Sequence, residues 1–474
     1  MIKAYPMKIA ILGFGREGKS TLAFLQKSKA LIGDEVWILD KNRSIKIPRG
    51  VHSALGKNSL KNLGLFDIIF RSPGIPYNLP EFVRTRKTGV LFSSATKLFF
   101  GAVSHLSSVN SRLLVIGITG TKGKGTTSTI LYNILKSAGK DVFLVGNIGT
   151  PALNILPRLQ SLITHRKSKV IGHKSDVFVI MELSSFQLQD LETSPHIALI
   201  TEMFPDHQDS HKSLSEYYGA KANIARYQTK SDKVFYFAHN KIGKETAAHG
   251  KGKKIAVNPY TPNSRELGNK IRKNIRIPGE HNFKNVFMAT VVAKYLGIPT
   301  HTIIQTIKKF KSNEHRLEFV RRIRAHPRRN PRTSAVIEFY NDSASTNPHT
   351  TAAAINAFPS QSKILIAGGR DKNLNYDYKS LAQALNNSNT KLVVLIGENK
   401  KRIARVIKNS GVPIKFAKDL KEAIKLTYQF STFYIPHSTF SIIFSPGAKS
   451  FDLFENYAER GKEFKKIVKK LTSH

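Results

Sequence analysis

The sequence of 474 residues contains no cysteine, and this absence excludes structural disulfides, thiolate metal sites and catalysis by a thiol. It also lacks an uninterrupted apolar run near the roughly 18 residues that a membrane-spanning helix needs. The first ten residues hold no apolar run of the kind that signal peptides carry. We therefore expect a soluble, cytoplasmic protein.

Acidic residues are scarce in this chain. It has 32 Asp and Glu against 75 Lys and Arg, which gives a formal net charge of +43. A charge of this size raises the hypothesis of a nucleic-acid partner. The content of 41% hydrophobic and 9% aromatic residues nevertheless favours folded domains over a disordered basic chain. At about 150 residues per domain, the length predicts about three domains.

Apolar runs that alternate with helical patterns predict an α/β protein with largely parallel sheets. The pattern is interrupted near residues 108 and 312, and we therefore predict domains at 1–107, 108–312 and 313–474.

The first glycine turn, Gly13–Gly18, follows the apolar strand Met7–Leu12, and a later strand ends at Asp40. This order is typical of the mononucleotide-binding half of a doubly wound sheet. By itself, a GxGxxG turn is equally consistent with binding a nucleotide diphosphate and with packing a helix against a strand.

The second glycine turn, Gly117–Thr127, lies between an apolar strand and a helix that we predict from about Thr127. Backbone amides of such a loop can face phosphates, and Lys124 can neutralise their charge. Gly125 stands where a phosphate loop usually has its Mg²⁺-binding hydroxyl. Thr126 is then the first candidate for that role, and Thr127 stays an alternative.

Polar residues follow the next strands of the second domain. Glu182 ends the strand beside the phosphate loop, where a nucleotide-bound Mg²⁺ finds a carboxylate ligand. A later strand runs into Asp206–Asp209, and Lys221 lies 14 residues after His207. Such a cluster could hold a second divalent ion. Taken singly, His207 is better interpreted as a histidine of an ordinary loop.

Asn282 and Asn285 lie at the start of a predicted helix, where they either read an adenine edge or cap the helix. In the third domain, polar residues again stand at strand ends and in glycine turns. These segments are His315–Glu318, Asn341–Ser343 and Gly368–Asn373. They predict a cleft that faces an ATP-binding domain.

In their order along the chain, these motifs resemble the Mur ligases of peptidoglycan synthesis, over nearly the whole sequence. The segments that carry the resemblance are Gly120–Lys124, Glu182–Leu188, Asp206–Asp209 with Lys221, Gly279–Asn282, His315–Arg316 and Gly369–Lys372. Three further segments resemble the D-glutamate-adding members of that family, and these are Gly146–Gly149, Ser184–Leu188 and Ser445–Asp452.

The resemblance implies an ATP-dependent ligase that joins D-glutamate to UDP-N-acetylmuramoyl-L-alanine through an acyl phosphate. It implies three domains: an N-terminal Rossmann-like UDP-binding domain, a central P-loop ATPase-like domain with a mostly parallel sheet, and a C-terminal Rossmann-like domain. ATP and two Mg²⁺ ions are the implied cofactors, with Lys221 carbamylated. The implied partners are these small molecules, with a monomeric protein and neither a membrane nor a specific nucleic acid.

The resemblance also assigns roles to residues of this sequence. The catalytic residues are Lys124, Glu182, His207 and Lys221, and the metal ligands are Thr126, Glu182 and His207. ATP is assigned to Gly120, Thr121, Lys122, Gly123, Lys124, Gly125, Thr126, Thr127, Asn282, Asn285, Arg316 and Asp342. The UDP substrate is assigned to Gly15, Arg16, Asp40, Ser72, Gly74 and Asn147, and D-glutamate to Lys372, Ser450 and Phe451.

One departure concerns the third domain, where Ala344 stands in place of a lysine that the family usually has; Arg370 or Lys372 are the candidates to replace that cation.

The alternative functions are a related Mur or folylpolyglutamate-type ligase with another acceptor, and a basic P-loop ATPase that binds nucleic acid. The second rests on the net charge and on Arg321–Arg332, for which a solvated hairpin loop is favoured. A nicotinamide oxidoreductase would rest on the first glycine turn alone. A weak contact with polyanions stays open.

Overall fold

The computed structural model describes residues 6–27, 33–109, 113–168, 176–205, 211–325, 335–370, 378–434, 439–450 and 454–471. The chain forms two compact units. The first comprises residues 1–268 and 287–306, and the second comprises residues 269–286 and 307–474. The predicted α/β class is confirmed, because two sheets in the first unit and one in the second are flanked by helices.

The N-terminal sheet has five parallel strands in the order β3-β2-β1-β4-β5. Its elements are β1 (Lys8–Leu12), α1 (Arg16–Lys27), β2 (Glu35–Asp40), β3 (His52–Leu55), β4 (Ile68–Arg71), α2 (Pro80–Arg86), β5 (Leu91–Ser93) and α3 (Ala95–Val109). Alternate residues of β1 enter different cores: Ile9 and Ile11 pack on one face of the sheet, and Ala10 and Leu12 on the other. Both faces are therefore covered, as the doubly wound pattern predicts.

The central sheet has six strands in the order β11-β10-β9-β6-β8-β7, all of them parallel. The elements are β6 (Leu113–Thr119), α4 (Lys124–Ser137), β7 (Asp141–Gly146), α5 (Leu156–Ser168), β8 (Val177–Glu182), α6 (Ser185–Leu188), β9 (Ile197–Ile200), α7 (Leu214–Arg226), β10 (Lys233–Phe237), α8 (Lys241–Ala248), β11 (Lys253–Val257), α9 (Pro262–Asn274), α10 (Glu280–Tyr295) and α11 (Thr300–Lys309). Helix α4 begins at Lys124 rather than near Thr127, because Gly123 supplies a left-handed N-cap with φ of 90°.

The C-terminal sheet has the order β12-β13-β17-β14-β15-β16 and is mixed, since β12 runs antiparallel to β13 while the other pairs are parallel. Its elements are β12 (Glu318–Ala325), β13 (Ala335–Asn341), α12 (Pro348–Asn356), β14 (Ser362–Ala367), α13 (Lys379–Asn386), β15 (Thr390–Leu395), α14 (Lys400–Ile407), β16 (Ile414–Phe416), α15 (Leu420–Tyr434), β17 (Thr439–Phe444) and α16 (Tyr457–Lys469). Two apolar clusters cover its faces.

The N-terminal and central sheets are joined within the first unit by shared apolar and polar contacts. Phe99, Phe100 and Val103 of α3 belong to the core of the central sheet. The buried guanidinium of Arg71, at the end of β4, lies 3.6 Å from the carboxylate of Asp190, also buried. Arg71 also donates to the carbonyl of Phe186 at 2.9 Å. The first domain boundary, predicted near residue 108, therefore falls where the two sheets share a core.

None of the described helices is long and apolar enough to cross a bilayer.

The predicted domain boundaries at 108 and 312 stay predictions, since the division into two units does not separate the first two domains.

Replacing Arg71 with Met is expected to destabilise the first unit by about 3 kcal/mol, because the Asp190 carboxylate would stay buried with a single cation, Lys97, 3.8 Å away. Urea unfolding followed by the fluorescence of Trp37, the one tryptophan of the chain, reports this change. Lys8→Met is the matched control, because it breaks the exposed pair with Glu35 and should change stability by less than about 1 kcal/mol. Equal losses in the two variants would contradict the role assigned to Arg71.

Candidate active site

The phosphate loop is attached by hydrogen bonds to the segment that follows the neighbouring strand β9. The hydroxyl of Thr201 donates to the carbonyl of Lys122 at 2.6 Å, and the hydroxyl of Thr121 donates to the carbonyl of Phe204 at 2.8 Å. A Cβ at Gly120, whose φ is 146°, would lie 2.0 Å from the Thr201 hydroxyl oxygen. Glycine at this position is therefore required by a close approach within the protein as well as by the loop conformation.

Two lysine ammonium groups converge on one backbone carbonyl of this loop. Lys124 Nζ donates to the oxygen of Gly120 at 2.9 Å, and Lys221 Nζ donates to the same oxygen at 2.8 Å. Lys221 is buried, and its ammonium lies 4.9 Å from the ring centre of Tyr217. The predicted ATP-binding lysine and the predicted catalytic lysine thus lie at the same point, which is a strongly positive place for an anion.

Glu182 has the geometry expected of a cation ligand. Its side chain is only 1% exposed, one carboxylate oxygen accepts from Asn147 Nδ2 at 2.8 Å, and the other is buried without a hydrogen-bond donor. The hydroxyl of Thr127 is also buried without a partner. A carboxylate oxygen in this state is favourable only if a cation or a proton meets it. Glu182 with Thr126 or Thr127 therefore fits Mg²⁺, whereas His207 lies outside the described residues.

A cavity of about 530 Å³ lies between the N-terminal and central sheets of the first unit. Its lining includes all six residues predicted for the UDP substrate, which are Gly15, Arg16, Asp40, Ser72, Gly74 and Asn147. Asp40 accepts a hydrogen bond from the backbone amide of Phe14 at 2.7 Å, which shapes the first glycine turn. Asn147 lines this cavity and also contacts Glu182, so the cavity and the candidate metal ligand are adjacent.

Glu17 and Gln187 are residues of this region that sequence reasoning missed. Glu17 lines the cavity, and its carboxylate accepts from Gln187 Nε2 at 2.8 Å. Gln187 and Ser184 form a capping box at α6, and this holds the Gln187 amide in place. Burial raises the pKa of Glu17. The signals were present in the sequence, since Glu17 lies inside the first glycine turn and Ser184 and Gln187 have capping-box spacing.

In the second unit, a left-handed segment presents Arg316. Both of its neighbours, His315 and Leu317, have positive φ values of 64° and 45°, a conformation that non-glycine residues adopt only when their surroundings impose it. Asp342 helps to impose it, because one carboxylate oxygen accepts from the amide of Leu317 at 3.1 Å and the other from Ser445 at 2.8 Å. Asp342 thus positions the Arg316 segment.

The two asparagines predicted to bind ATP are both buried near the start of α10. Asn282 donates to the carbonyl of Pro278 at 2.7 Å and is 5% exposed, and Asn285 is 3% exposed. Burial lowers the pKa of the adjacent His281 to about 4, so this histidine is neutral at physiological pH. The contact of Asn282 with the Pro278 carbonyl is compatible both with a capping role at the start of the helix and with binding of the adenine of ATP.

Of the residues predicted for D-glutamate, only Ser450 lies in the described part of the chain; Lys372 and Phe451 lie outside it. Ser450 is buried, and its carbonyl accepts from the amide of Phe454 at 3.0 Å. The sequence resemblance to the D-glutamate-adding members extends from Ser445–Asp452 to Arg460. Arg460 is buried and donates to the carbonyls of Ser343 and Ala448 at 2.9 and 3.0 Å. Arg460 thereby joins two loops that follow neighbouring strands, β13 and β17.

Comparisons with known proteins agree with the motifs. Residues 118–293 match the Mur ligase middle domain, and residues 315–432 match the Mur ligase glutamate ligase domain. The chain is 33% identical to UDP-N-acetylmuramoylalanine--D-glutamate ligase of Acetivibrio thermocellus, over 97% of this chain and 96% of the relative.

Solved structures show the same fold at low sequence identity. The UDP-N-acetylmuramate-alanine ligase MurC of Thermotoga maritima aligns with a TM-score of 0.54 and 19% identity, over 98% of this chain and 99% of the other. The MurF ligase of Thermotoga maritima in complex with ADP aligns with a TM-score of 0.52 and 14% identity, over 99% and 96% of the two chains.

Glu17→Gln is expected to raise the melting temperature of the first unit at about pH 8, with the gain disappearing towards about pH 4. Because the native pKa is raised, the ionised carboxylate weakens folding above that pKa, and the effect is absent where the group is protonated in both states. Glutamine keeps an acceptor for Gln187 without the charge. Thermal melts across this range test the prediction, with exposed Glu245→Gln as control. A gain that does not depend on pH would contradict it.

Proposed function

The chain belongs to the Mur ligase family, and from that premise we propose that it joins D-glutamate to UDP-N-acetylmuramoyl-L-alanine while ATP is cleaved to ADP and phosphate. This is an acid–amino-acid ligation in the synthesis of peptidoglycan precursors. Its full-length relatives carry the name of this activity. Members of the family use ATP and Mg²⁺, and one solved relative holds ADP.

One observation carries the assignment of substrates to the first unit: Asn147 lines the cavity and donates to Glu182 beside the phosphate loop. A UDP-sugar bound with its nucleotide near Gly15 and Asp40 would extend its carboxylate towards Asn147. The carboxylate of the UDP substrate and the γ-phosphate of ATP would then meet near the Gly120 carbonyl, where the ammonium groups of Lys124 and Lys221 lie. Two anions can approach each other only where cations neutralise them.

The reaction follows from this arrangement. The substrate carboxylate attacks the γ-phosphorus, and the bond from that phosphorus to the β-phosphate oxygen breaks. The products of this step are ADP and an acyl phosphate. The neutral amine of D-glutamate then attacks the acyl carbon. The tetrahedral intermediate loses phosphate and one proton of the amine as the amide forms. Lys124 would hold the β- and γ-phosphates through both stages of the transfer. Glu182 and the hydroxyl of Thr126 or Thr127 would hold Mg²⁺, which would supply charge neutralisation to the phosphates.

The remaining roles are finer proposals that rest on the family resemblance. His207 and a carbamylated Lys221 would hold a second Mg²⁺, and the carbamate would convert a cation into an oxygen ligand. Lys372, Ser450 and Phe451 would form the D-glutamate pocket in the domain at 313–474. Residues 1–107 would form the UDP-binding domain, and residues 108–312 the ATP-binding domain. We further propose that the enzyme acts as a cytoplasmic monomer without a specific nucleic acid.

Phosphate release should require ATP, Mg²⁺, UDP-N-acetylmuramoyl-L-alanine and D-glutamate together. The assay omits each component in turn and replaces D-glutamate with L-glutamate, L-lysine or diaminopimelate. Release that needs no amino acid but responds to DNA or RNA would refute the ligase assignment and favour the basic ATPase. A preference for a diamino acid would agree with the family assignment but refute D-glutamate as the amino-acid substrate.

Lys124→Ala should lower the rate of phosphate release by about 10³-fold or more, because a charge opposite the transferred phosphoryl group is removed. The matched control is Lys244→Ala, which removes an exposed cation of α8 in the same unit. Thermal melts of both variants separate loss of chemistry from loss of fold. An active Lys124→Ala enzyme would contradict the mechanism.

Lys372→Ala should raise KM for D-glutamate by about 10- to 100-fold, because a charge-assisted hydrogen bond to a carboxylate is lost. KM for ATP should change little. Lys391→Ala, which removes an exposed cation of β15, is the control in the same domain. If KM for ATP rose while KM for D-glutamate stayed constant, Lys372 would belong to the phosphate side instead.

A further inference from the structure

A second cavity, of about 470 Å³, lies against β7 at the edge of the central sheet. The end of α4, the turn before β7, β7 itself and the first turn of α5 form its walls. Among the residues that the structure describes, none of those predicted for ATP, the UDP substrate or D-glutamate lines this β7 cavity. Its volume is in the range of small-molecule sites.

The β7 cavity carries an excess of positive charge. Its described lining contains three cations, Lys136, Lys140 and Arg158, and one carboxylate, that of Asp141. Within the described ranges, none of these three cations forms an ion pair with a carboxylate. Three such cations around one concave site attract an anion more strongly than the same charges spread over a convex surface.

Two aromatic rings accompany the cations in this cavity. Lys136 Nζ lies 5.6 Å from the ring centre of Tyr132, and Arg158 Cζ lies 5.5 Å from that of Phe143. Both rings are half-buried. A flat ring beside a cation offers a stacking surface for a base together with a charge for its phosphate. The combination fits a nucleoside phosphate better than an inorganic anion.

The turn after β7 connects this cavity to the first one. Gly149 and Thr150 line the β7 cavity, and the amide of Thr150 donates to the carbonyl of Leu144 at 3.3 Å. The carbonyl of Gly149 accepts from Arg16 Nη2 at 2.7 Å, and Arg16 lines the larger cavity, as does Asn147 of the same turn. A ligand that displaces this turn would therefore move groups on both sides of it.

We propose that the β7 cavity binds a nucleoside monophosphate as an effector and that its occupancy changes the affinity for the UDP substrate. The phosphate lies among Lys136, Lys140 and Arg158, and the base stacks on Tyr132 or Phe143. The effect on the UDP substrate rests on the proposed function; the binding of the nucleotide does not.

Calorimetric titration tests the binding. AMP, GMP, CMP and UMP are titrated into the protein alone and again in the presence of saturating MgADP and UDP, the ligands that the proposed function assigns to the phosphate loop and the larger cavity. Adenosine and inorganic phosphate are the probes for base and anion alone. The variants are Lys136→Gln/Arg158→Gln and the control Lys244→Gln, which removes an exposed cation outside both cavities.

At least one nucleotide should bind at one site per protein molecule. Its dissociation constant should rise by about tenfold or more in the double variant and stay unchanged in the control. Activity assays with that nucleotide should show a changed KM for the UDP substrate in the natural enzyme and no change in the double variant.

Absence of nucleotide binding, equal binding by the double variant, or equal binding of inorganic phosphate would overturn the nucleotide site. Nucleotide binding with no change in KM would overturn the coupling. The titration does not use the ligase reaction, so failure of the site and failure of the proposed function are distinguishable.

Discussion

The buried carboxylate of Glu182 is the group around which the first unit is arranged. It stands at the end of β8, in register with Ile118 of the strand that leads into the phosphate loop and with Gly146 of β7. A carboxylate at this depth is unfavourable unless its oxygens are satisfied. Asn147 satisfies one oxygen, and the other is left for a cation. The phosphate loop, the turn after β7 and the capping box of α6 all meet at this point because three parallel strands end there.

Polar contacts around this group also attach the N-terminal sheet to the central sheet. Gln187 extends from the capping box to Glu17, and Arg71 reaches the carbonyl of Phe186 and the carboxylate of Asp190. Buried polar contacts of this kind contribute little net stability, yet they tolerate few alternative arrangements. They therefore specify how the walls of the larger cavity face each other, which apolar packing alone would leave less defined.

The net charge of +43 has several structural uses that do not involve nucleic acid. Lys124 and Lys221 converge at the phosphate loop, and Arg460 joins two loops of the C-terminal sheet. Arg321, part of the basic stretch that suggested a nucleic-acid partner, donates to the carbonyls of Lys469 and Leu471 at 2.8 and 2.7 Å. It thereby satisfies carbonyls at the C-terminal end of α16, where a cation is favourable. Its neighbour Arg322 pairs with Glu338.

The sequence by itself determined the α/β class and the strands that carry the site, because strand periodicity and glycine turns are local properties. The family resemblance added six of the residues that line the larger cavity. The sequence could not determine contacts between residues far apart in the chain. The convergence of Lys124 and Lys221 on Gly120, the bond between Asn147 and Glu182, the left-handed backbone around Arg316 and the pairing of Glu17 with Gln187 were decided by the tertiary structure. Each depends on which strands become neighbours and on which polar groups lose water, and these follow from packing rather than from local sequence.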